Sequence, residues 1–164
     1  MKMDAKTAKP RKEDSARAFM NSYIEQKRVV EYCEMELNTL NATADSITYG
    51  TGASDRTEQL AARIEDMRDD IMERKIEALE RQHEISETLS RYPTHGIREQ
   101  NEKLVLFHRY IEGKSARETA GEMSIDLSYV HLLTKSGLGK ISEMIESGGK
   151  GDAPQKAELR PENL

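Results

Sequence analysis

Apolar residues in the stretch 15–40 recur at alternating intervals of four and three positions. The series consists of Phe19, Tyr23, Gln26, Val30, Cys33, Leu37 and Leu40, with a glutamine in one place. A heptad series of this kind predicts a long helix with one narrow apolar stripe. Because such a helix is not stable alone in water, the pattern also predicts a partner helix.

A second long helix is expected over residues 55–91, after a loop that the small and polar residues 41–54 predict. Its apolar series runs through Leu60, Ile64, Met67 and Ile71, slips through Met72, Ile76 and Leu79, and resumes at Ile85 and Leu89. The slip predicts a break in regular supercoiling near Arg74. We expect residues 14–91 to form an antiparallel hairpin that serves oligomerisation, and a parallel dimer seam formed by the same stripes is the alternative.

Three shorter helices are predicted in the C-terminal part, residues 97–146, after a break set by Pro93 and Gly96. The first covers residues 97–112, and its residues expected to face inward are Leu104, Val105, Phe107, His108 and Ile111. Gly113 is placed to end this helix in the left-handed conformation. Ser115 and Glu118 have the spacing of a capping box, so a new helix should begin there.

Residues 115–141 have the spacing of a helix-turn-helix. Ala120 is small enough for two helices to cross, Ser124 falls in the turn, and Val130 returns the second helix to the first. The other positions expected inside are Thr119, Met123, Ile125, Leu133 and Leu138. Asp126 is an acceptable N-cap for the second helix. The predicted fold is therefore all-α: a long, coiled-coil-like helical hairpin followed by a C-terminal helix-turn-helix.

Composition supports long helices rather than one large compact core. Apolar residues make up 36% of the 164 residues, aromatic residues 5% and charged residues 34%. No apolar run approaches the roughly 18 residues of a membrane span, and the amino terminus lacks the apolar core of a signal peptide. The single cysteine, Cys33, excludes an internal disulfide and fits a reducing compartment. We therefore expect a cytoplasmic protein without membrane contact, in which Cys33 is a small core residue.

Charge is distributed unevenly around a net value of −5. Residues 1–12 carry five basic groups against one aspartate, residues 55–90 carry eleven acidic and six basic groups, and residues 103–141 carry six basic and four acidic groups. The acidic excess thus falls on the second long helix. Residues 1–13 are expected to form a disordered basic tail, which either adds salt-dependent affinity for phosphates or is simply solvated, and residues 147–164 a second disordered tail.

The chain lacks the residue patterns of catalysis or metal binding. Its four histidines are scattered, no CxxC pair occurs, and no phosphate-binding loop, nucleophile elbow or dinucleotide fingerprint is present. The abundant carboxylates lie on helix faces expected to be solvated. We predict neither an enzyme nor a cofactor or metal site.

The stretch 103–141 resembles the fourth region of bacterial sigma factors, as reused in many small regulators. The similarity lies in the run of residues 109–115 and in Glu118, Ala120, Ile125, Ser128, Val130 and Leu138. With the long helices before it, the chain resembles phage and prophage transcriptional regulators of the ArpU and RinA type. The resemblance implies sequence-specific binding of double-stranded DNA with the second helix in the major groove. Lys135 and Lys140 are the only cations on that helix, fewer than such regulators usually carry.

The residues expected to contact DNA fall into two groups. Ser115 and Arg117, with the N-terminal amides of the first helix, would hold phosphates. Ser128, Tyr129, His131 and Lys135 would meet base edges or neighbouring phosphates, and Leu132 either touches a thymine methyl group or belongs to a protein interface. Because one such module should bind weakly, we expect a homodimer through the long helices.

Two other functions use the same fold. A phage small terminase subunit would combine a helix-turn-helix with a ring-forming helical hairpin, although such subunits usually carry the DNA-binding unit first. A helical interaction protein would use the motif to grip RNA polymerase or another factor, which the weakly basic second helix favours.

Overall fold

The structure, a computed structural model, describes residues 11–48 and 55–148, and those residues form helices without any strand. The elements are α1 (Lys12–Thr48), α2 (Asp55–Ser90), α3 (Ile97–Leu106), a π-helical turn (Phe107–Ile111), α4 (Ala116–Met123) and α5 (Leu127–Gly148). The predicted all-α class is confirmed. The predicted tails lie outside the described residues except at their inner ends, since α1 begins at Lys12 and α5 extends to Gly148.

Helices α1 and α2 pack side by side as the predicted hairpin. Contacts between them run in opposite sequence directions: Gln82 donates to the Tyr23 carbonyl, whereas Arg74 pairs with Glu36 at 2.9 Å. Towards the loop end, an apolar cluster joins the two helices and contains Cys33, Leu40, Ile64 and Ile71. Cys33 is fully buried there, as its place on the stripe predicted.

The first helix extends into the stretch predicted to be a loop. It continues to Thr48, where a connection was expected from residue 41. Ala44 and Ile47 pack against the cluster at the loop end and so prolong the apolar stripe. The polar residues are accommodated because the Thr43 and Ser46 hydroxyls donate to backbone carbonyls of the same helix.

The predicted slip in the second stripe is wrong. The residues of α2 that are buried towards α1 include Ile64, Ile71, Ala78 and Ile85, one in each heptad, so the seam passes the level of Arg74 without a shift. Ala78 is small, so the sequence pattern indicates the larger apolar residues near it and not this seam position. Met72, Ile76 and Leu79 lie on another face of α2 and are 39%, 50% and 44% exposed.

The open end of the hairpin shares one hydrophobic core with the C-terminal helices. The buried residues of this shared core come from every element except α4 and include Phe19, Met20, Ile85, Leu89, Tyr92, Leu106, Tyr110, Leu138 and Ile141. The second half of α5 therefore packs against α1, α2 and α3. The helix-turn-helix is attached to the hairpin by side-chain packing as well as by the chain.

The end of α3 differs from its predicted register. Leu106 and Tyr110 are buried, whereas Leu104 and Phe107, expected to face inward, are 43% and 40% exposed. Leu106 and Tyr110 are four residues apart and share one face, and this face meets the shared core. A π-helical turn follows Leu106. Gly113 ends the segment with φ +74°, as predicted, and a Cβ there would lie 2.8 Å from Ile24 Cδ1.

Two glycines of α5 give a matched test of how closely α5 approaches α3. A Cβ on Gly137 would lie 3.0 Å from Leu106 Cδ1, whereas a Cβ on Gly139 would meet nothing within 4 Å. Gly139→Ala is expected to raise the free energy of unfolding by about 0.5–1 kcal/mol because alanine favours helix. Gly137→Ala is expected to lower it by roughly 1 kcal/mol through overpacking. Urea unfolding followed by circular dichroism measures both, and an equal gain in the two variants would contradict the close approach.

No helix in the described ranges is long and apolar enough to cross a membrane.

Candidate nucleic-acid interface

Local hydrogen bonds fix the helix-turn-helix where the sequence predicted it. The Ser115 backbone N–H donates to the Glu118 carboxylate at 2.7 Å, and the Glu118 N–H donates to the Ser115 hydroxyl at 3.1 Å, which completes the capping box. Ser124 occupies the turn with φ 53° and ψ 45°, the left-handed conformation. Helix α5 begins at Leu127, directly after Asp126.

The inward face of the helix-turn-helix is apolar and buried. Val105 of α3, Ala120 of α4 and Val130 and Leu133 of α5 form its cluster, and all four are buried. The remaining predicted inward residues are also placed inside: Thr119 and Leu138 are buried, and Met123 and Ile125 are half-buried. This packing holds the first turns of α5 at a fixed distance from α4.

The outward face of α5 is open to solvent in its first turns. Ser128, His131, Leu132 and Lys135 are all exposed, and Leu132 is 51% exposed. Tyr129 differs from the prediction, because its side chain is half-buried and packs against the cluster under the motif. Tyr129 therefore lies at the edge of the outward face, where its packed ring is held in place.

The N-terminus of α4 is partly occupied by its own carboxylate. The capping box uses the Ser115 and Glu118 amides, and the backbone hydrogen bond from Ser115 is the main reason why the pKa of Glu118 is lowered. A phosphate at this helix end would therefore meet a negative charge. Ser115 and Arg117 are exposed as expected, and Arg117 has no ion-pair partner among residues 11–48 and 55–148.

Lys114 precedes α4 and is held by two glutamates. Its Nζ lies 2.6 Å from the Glu112 carboxylate and 3.1 Å from that of Glu122. The hydrogen bond to Glu112, followed by that to Glu122, raises the pKa of Lys114. The charge of this lysine is largely compensated within the protein.

Lys140, one of the two cations of α5, is bound to a buried carboxylate. Its Nζ lies 2.9 Å from Glu102, whose side chain is 1% exposed and which also accepts hydrogen bonds from Ser136 at 2.9 Å, from Arg98 at 3.3 Å and from the Tyr92 hydroxyl. Burial alone would raise the pKa of Glu102, but the hydrogen bonds from Tyr92, Lys140 and Ser136 lower it. Burial and the bond to Glu102 raise the pKa of Tyr92. Lys140 therefore stabilises the crossing of α3 and α5.

Arg109 has a similar internal role beneath the motif. It donates to the Thr134 hydroxyl at 3.1 Å, and that hydroxyl donates to the Val130 carbonyl at 2.7 Å. The exposed cations that remain on α4 and the first turns of α5 are Arg117 and Lys135. His131 lies on the same outward face of α5 as Lys135.

No group of three or more histidine, cysteine, aspartate or glutamate side chains in the described ranges could hold a metal ion. Comparisons of the chain with protein-family models, with curated proteins and with solved structures found no match. An assignment of function therefore depends on the exposed face of α5 and its surroundings.

Proposed function

We propose that the chain is a sequence-specific DNA-binding transcriptional regulator of phage or prophage genes, of the ArpU and RinA type, and that it acts in the cytoplasm without catalysis or a cofactor. One observation carries the proposal. The first turns of α5 bury one face against α3 and α4 and leave the opposite face uncovered by the long helices, namely Ser128, His131, Leu132 and Lys135. A recognition helix needs this arrangement to enter the major groove of a duplex.

Each exposed side chain has a role in this proposal. Lys135 and His131 donate to base edges or to phosphates beside them, and Ser128 forms a hydrogen bond at the start of the helix. Leu132 contacts a thymine methyl group, and Tyr129 closes the edge of the contact. Arg117 pairs with a phosphate and fixes the register, assisted by the Ser115 hydroxyl.

The small number of uncompensated cations supports weak DNA binding by one copy of the chain. Lys114 and Lys140 are compensated by glutamates, so Arg117 and Lys135 are the main cations offered to DNA by this part of the chain. Each phosphate neutralised by a lysine or arginine adds about 0.9 to the slope of log affinity against log salt. A module with so few cations needs a second copy to bind a specific site tightly.

Lys135→Ala is expected to weaken binding of a specific duplex by roughly tenfold, and Arg117→Ala is expected to reduce the salt slope by about 0.9 with little change in sequence preference. Genomic fragments captured by the wild-type chain supply the duplex, and fluorescence anisotropy at several salt concentrations measures both quantities. Lys27→Ala, an exposed cation of α1, is the matched control and should change neither. Identical fragment patterns for the wild type and Lys135→Ala would remove α5 from the recognition role.

A second candidate, a helical interaction protein that binds RNA polymerase or another factor, is favoured by the compensation of Lys114 and Lys140. It predicts no salt-dependent duplex binding, and Leu132→Ala should then weaken the protein complex instead. A small terminase subunit is distinguished by mass in solution, because it predicts a ring of many subunits rather than a dimer.

A further inference from the structure

Helix α2 has a second apolar face that does not contact α1. Met72, Ile76 and Leu79 follow one another at intervals of four and three, and His83 continues the series. The three apolar residues are about half exposed, and His83 is highly exposed. We call residues 72, 76, 79 and 83 the α2 stripe. Its spacing is that of the core positions of a coiled coil.

The α2 stripe leads into an apolar groove at the end of the hairpin. Ser86 and Ser90 take the next two positions of the same series, and both line a cavity of about 550 Å³ between α2 and α3. Leu89, Leu104 and Phe107 also line it. The series from residue 72 to residue 90 follows about 27 Å of helix. Exposed apolar residues thus lie at one end of this series and in the groove at its other end, and exposed apolar patches mark contacts with other protein surfaces.

The charges that flank the α2 stripe differ on its two sides. One side carries Glu73, Glu80 and Glu87, and the other, nearer α1, carries Arg68, Lys75 and Gln82. In a parallel pair of helices each side meets the opposite side of the partner, so that Lys75 of one copy faces Glu80 of the other. In an antiparallel pair like sides meet, and the glutamates would face one another.

We propose that a second copy of this chain covers the α2 stripe, with the two α2 helices parallel and in register around a twofold axis. Met72, Ile76 and Leu79 meet their counterparts in the other copy. The two grooves face each other across the same axis, which buries Leu104 and Phe107 as well. The contact is self-complementary, as a twofold interface requires.

The ion pairs within one copy leave the acidic side available. Glu73 and Glu80 are exposed and have no ion-pair partner in the described parts of the chain. Lys75 pairs with Glu34 of α1 at 3.3 Å, which holds its ammonium group beside the α2 stripe, and its side chain stays 23% exposed. A glutamate from a second copy would complete a three-charge cluster around this lysine.

The parallel orientation has a consequence for DNA that rests on the proposed function, although the contact itself does not. A parallel pair brings both helix-turn-helix units to the same end of the dimer. In an antiparallel pair centred on the α2 stripe, whose midpoint lies about 12 residues before the end of α2, the two ends of α2 would be roughly 36 Å apart along the helix axis. Twofold regulators read half-sites about 34 Å apart, so the charges that flank the α2 stripe, and not this distance, favour the parallel pair.

A charge reversal tests both the contact and its orientation. Glu73→Lys with Glu80→Lys places lysines opposite Arg68 and Lys75 in the parallel dimer, and the dissociation constant of the dimer should rise by at least about tenfold. Sedimentation equilibrium of the full chain measures it. Glu77→Lys, an exposed residue off the α2 stripe, is the matched control and should leave the dissociation constant unchanged.

Ile76→Glu provides a second test, because a charge at the centre of the α2 stripe should yield a monomer with an unchanged helix content. Met35→Glu, at a 65% exposed position of α1, should remain dimeric. A wild-type monomer or ring, a dimer indifferent to Ile76→Glu, or a dimer tightened by the double lysine variant would each overturn the proposal. Salt-dependent duplex binding by a monomer would overturn this contact and leave the DNA-binding function standing.

Discussion

Glu102→Ala is expected to lower the free energy of unfolding by about 3 kcal/mol, a fall in Tm of roughly 10 °C. The substitution removes the acceptor shared by Lys140, Ser136, Arg98 and the buried Tyr92 hydroxyl. A buried hydroxyl that loses its partner costs more than the original hydrogen bond contributed. Thermal and urea unfolding followed by circular dichroism at pH 7 would measure the change.

Glu99→Ala is the matched control for that experiment. Glu99 lies on the same helix and approaches Lys140 only to 3.9 Å, with its side chain 30% exposed, so its loss should cost less than about 1 kcal/mol. The fold lowers the pKa of Glu102, so its ionised form contributes stability above the ordinary glutamate pKa and loses it as the pH falls. The difference between the wild type and Glu102→Gln should therefore shrink below about pH 4.3. Equal losses in Glu99→Ala and Glu102→Ala would contradict the role given to Glu102.

Features set by neighbouring residues could be predicted from the sequence. The capping box of Ser115 and Glu118 and the left-handed Gly113 depend on a few residues and on backbone sterics, so their residue types identify them. The close crossing of α4 and α5 at Ala120 and Val130 could be predicted because a small residue and an apolar residue stand at the spacing that brings two helices together. For the same reason most of the helix-turn-helix agrees with the prediction, including four of the five positions of α5 expected to be exposed.

Features that depend on distant partners could not be predicted. In the sequence, Glu102 and Lys140 have no feature that separates them from solvated charges. Their pairing requires α3 to cross α5 at the level of these two residues. Ala78 carries too little apolar surface to mark a seam, although its burial keeps the hairpin in register. Tyr110 enters the core with Leu106 because that face of the segment meets the hairpin and α5, and apolar residues on both faces of the segment do not specify which face is buried.

The shared core and the Glu102 network together join the exposed face of α5 to the hairpin. Tyr92 follows the end of α2 and links the shared core to the Glu102 network, because its ring lies in the core and its hydroxyl donates to Glu102. Lys140 completes the link from α5. The orientation of α5 is therefore set by the hairpin. In a dimer joined through α2, the distance between the two copies of α5 would be fixed by packing rather than by a linker.

Leu138→Ala tests this coupling and is expected to cost about 3 kcal/mol, because it leaves a cavity where α5 meets the hairpin. Leu138 is fully buried in the shared core, beside residues of α1, α2 and α3. The loss should appear as one cooperative transition at a lower temperature. Far-ultraviolet circular dichroism would follow the helices, most of whose residues lie in α1 and α2. Tyrosine fluorescence, with the other four tyrosines replaced by phenylalanine, would follow Tyr92 and Tyr110 in the core.

Leu132→Ala is the matched control, because it removes the same side chain from an exposed position of the same helix. Its effect on stability should stay within about 0.5 kcal/mol. If the hairpin and the helix-turn-helix folded independently, Leu138→Ala would shift the tyrosine transition and leave the melting of the long helices where it was. Coincident shifts in both signals would instead mean that the position of α5 is set by its packing against the hairpin. Substitutions in the long helices would then displace the exposed face of α5 without changing any of its residues.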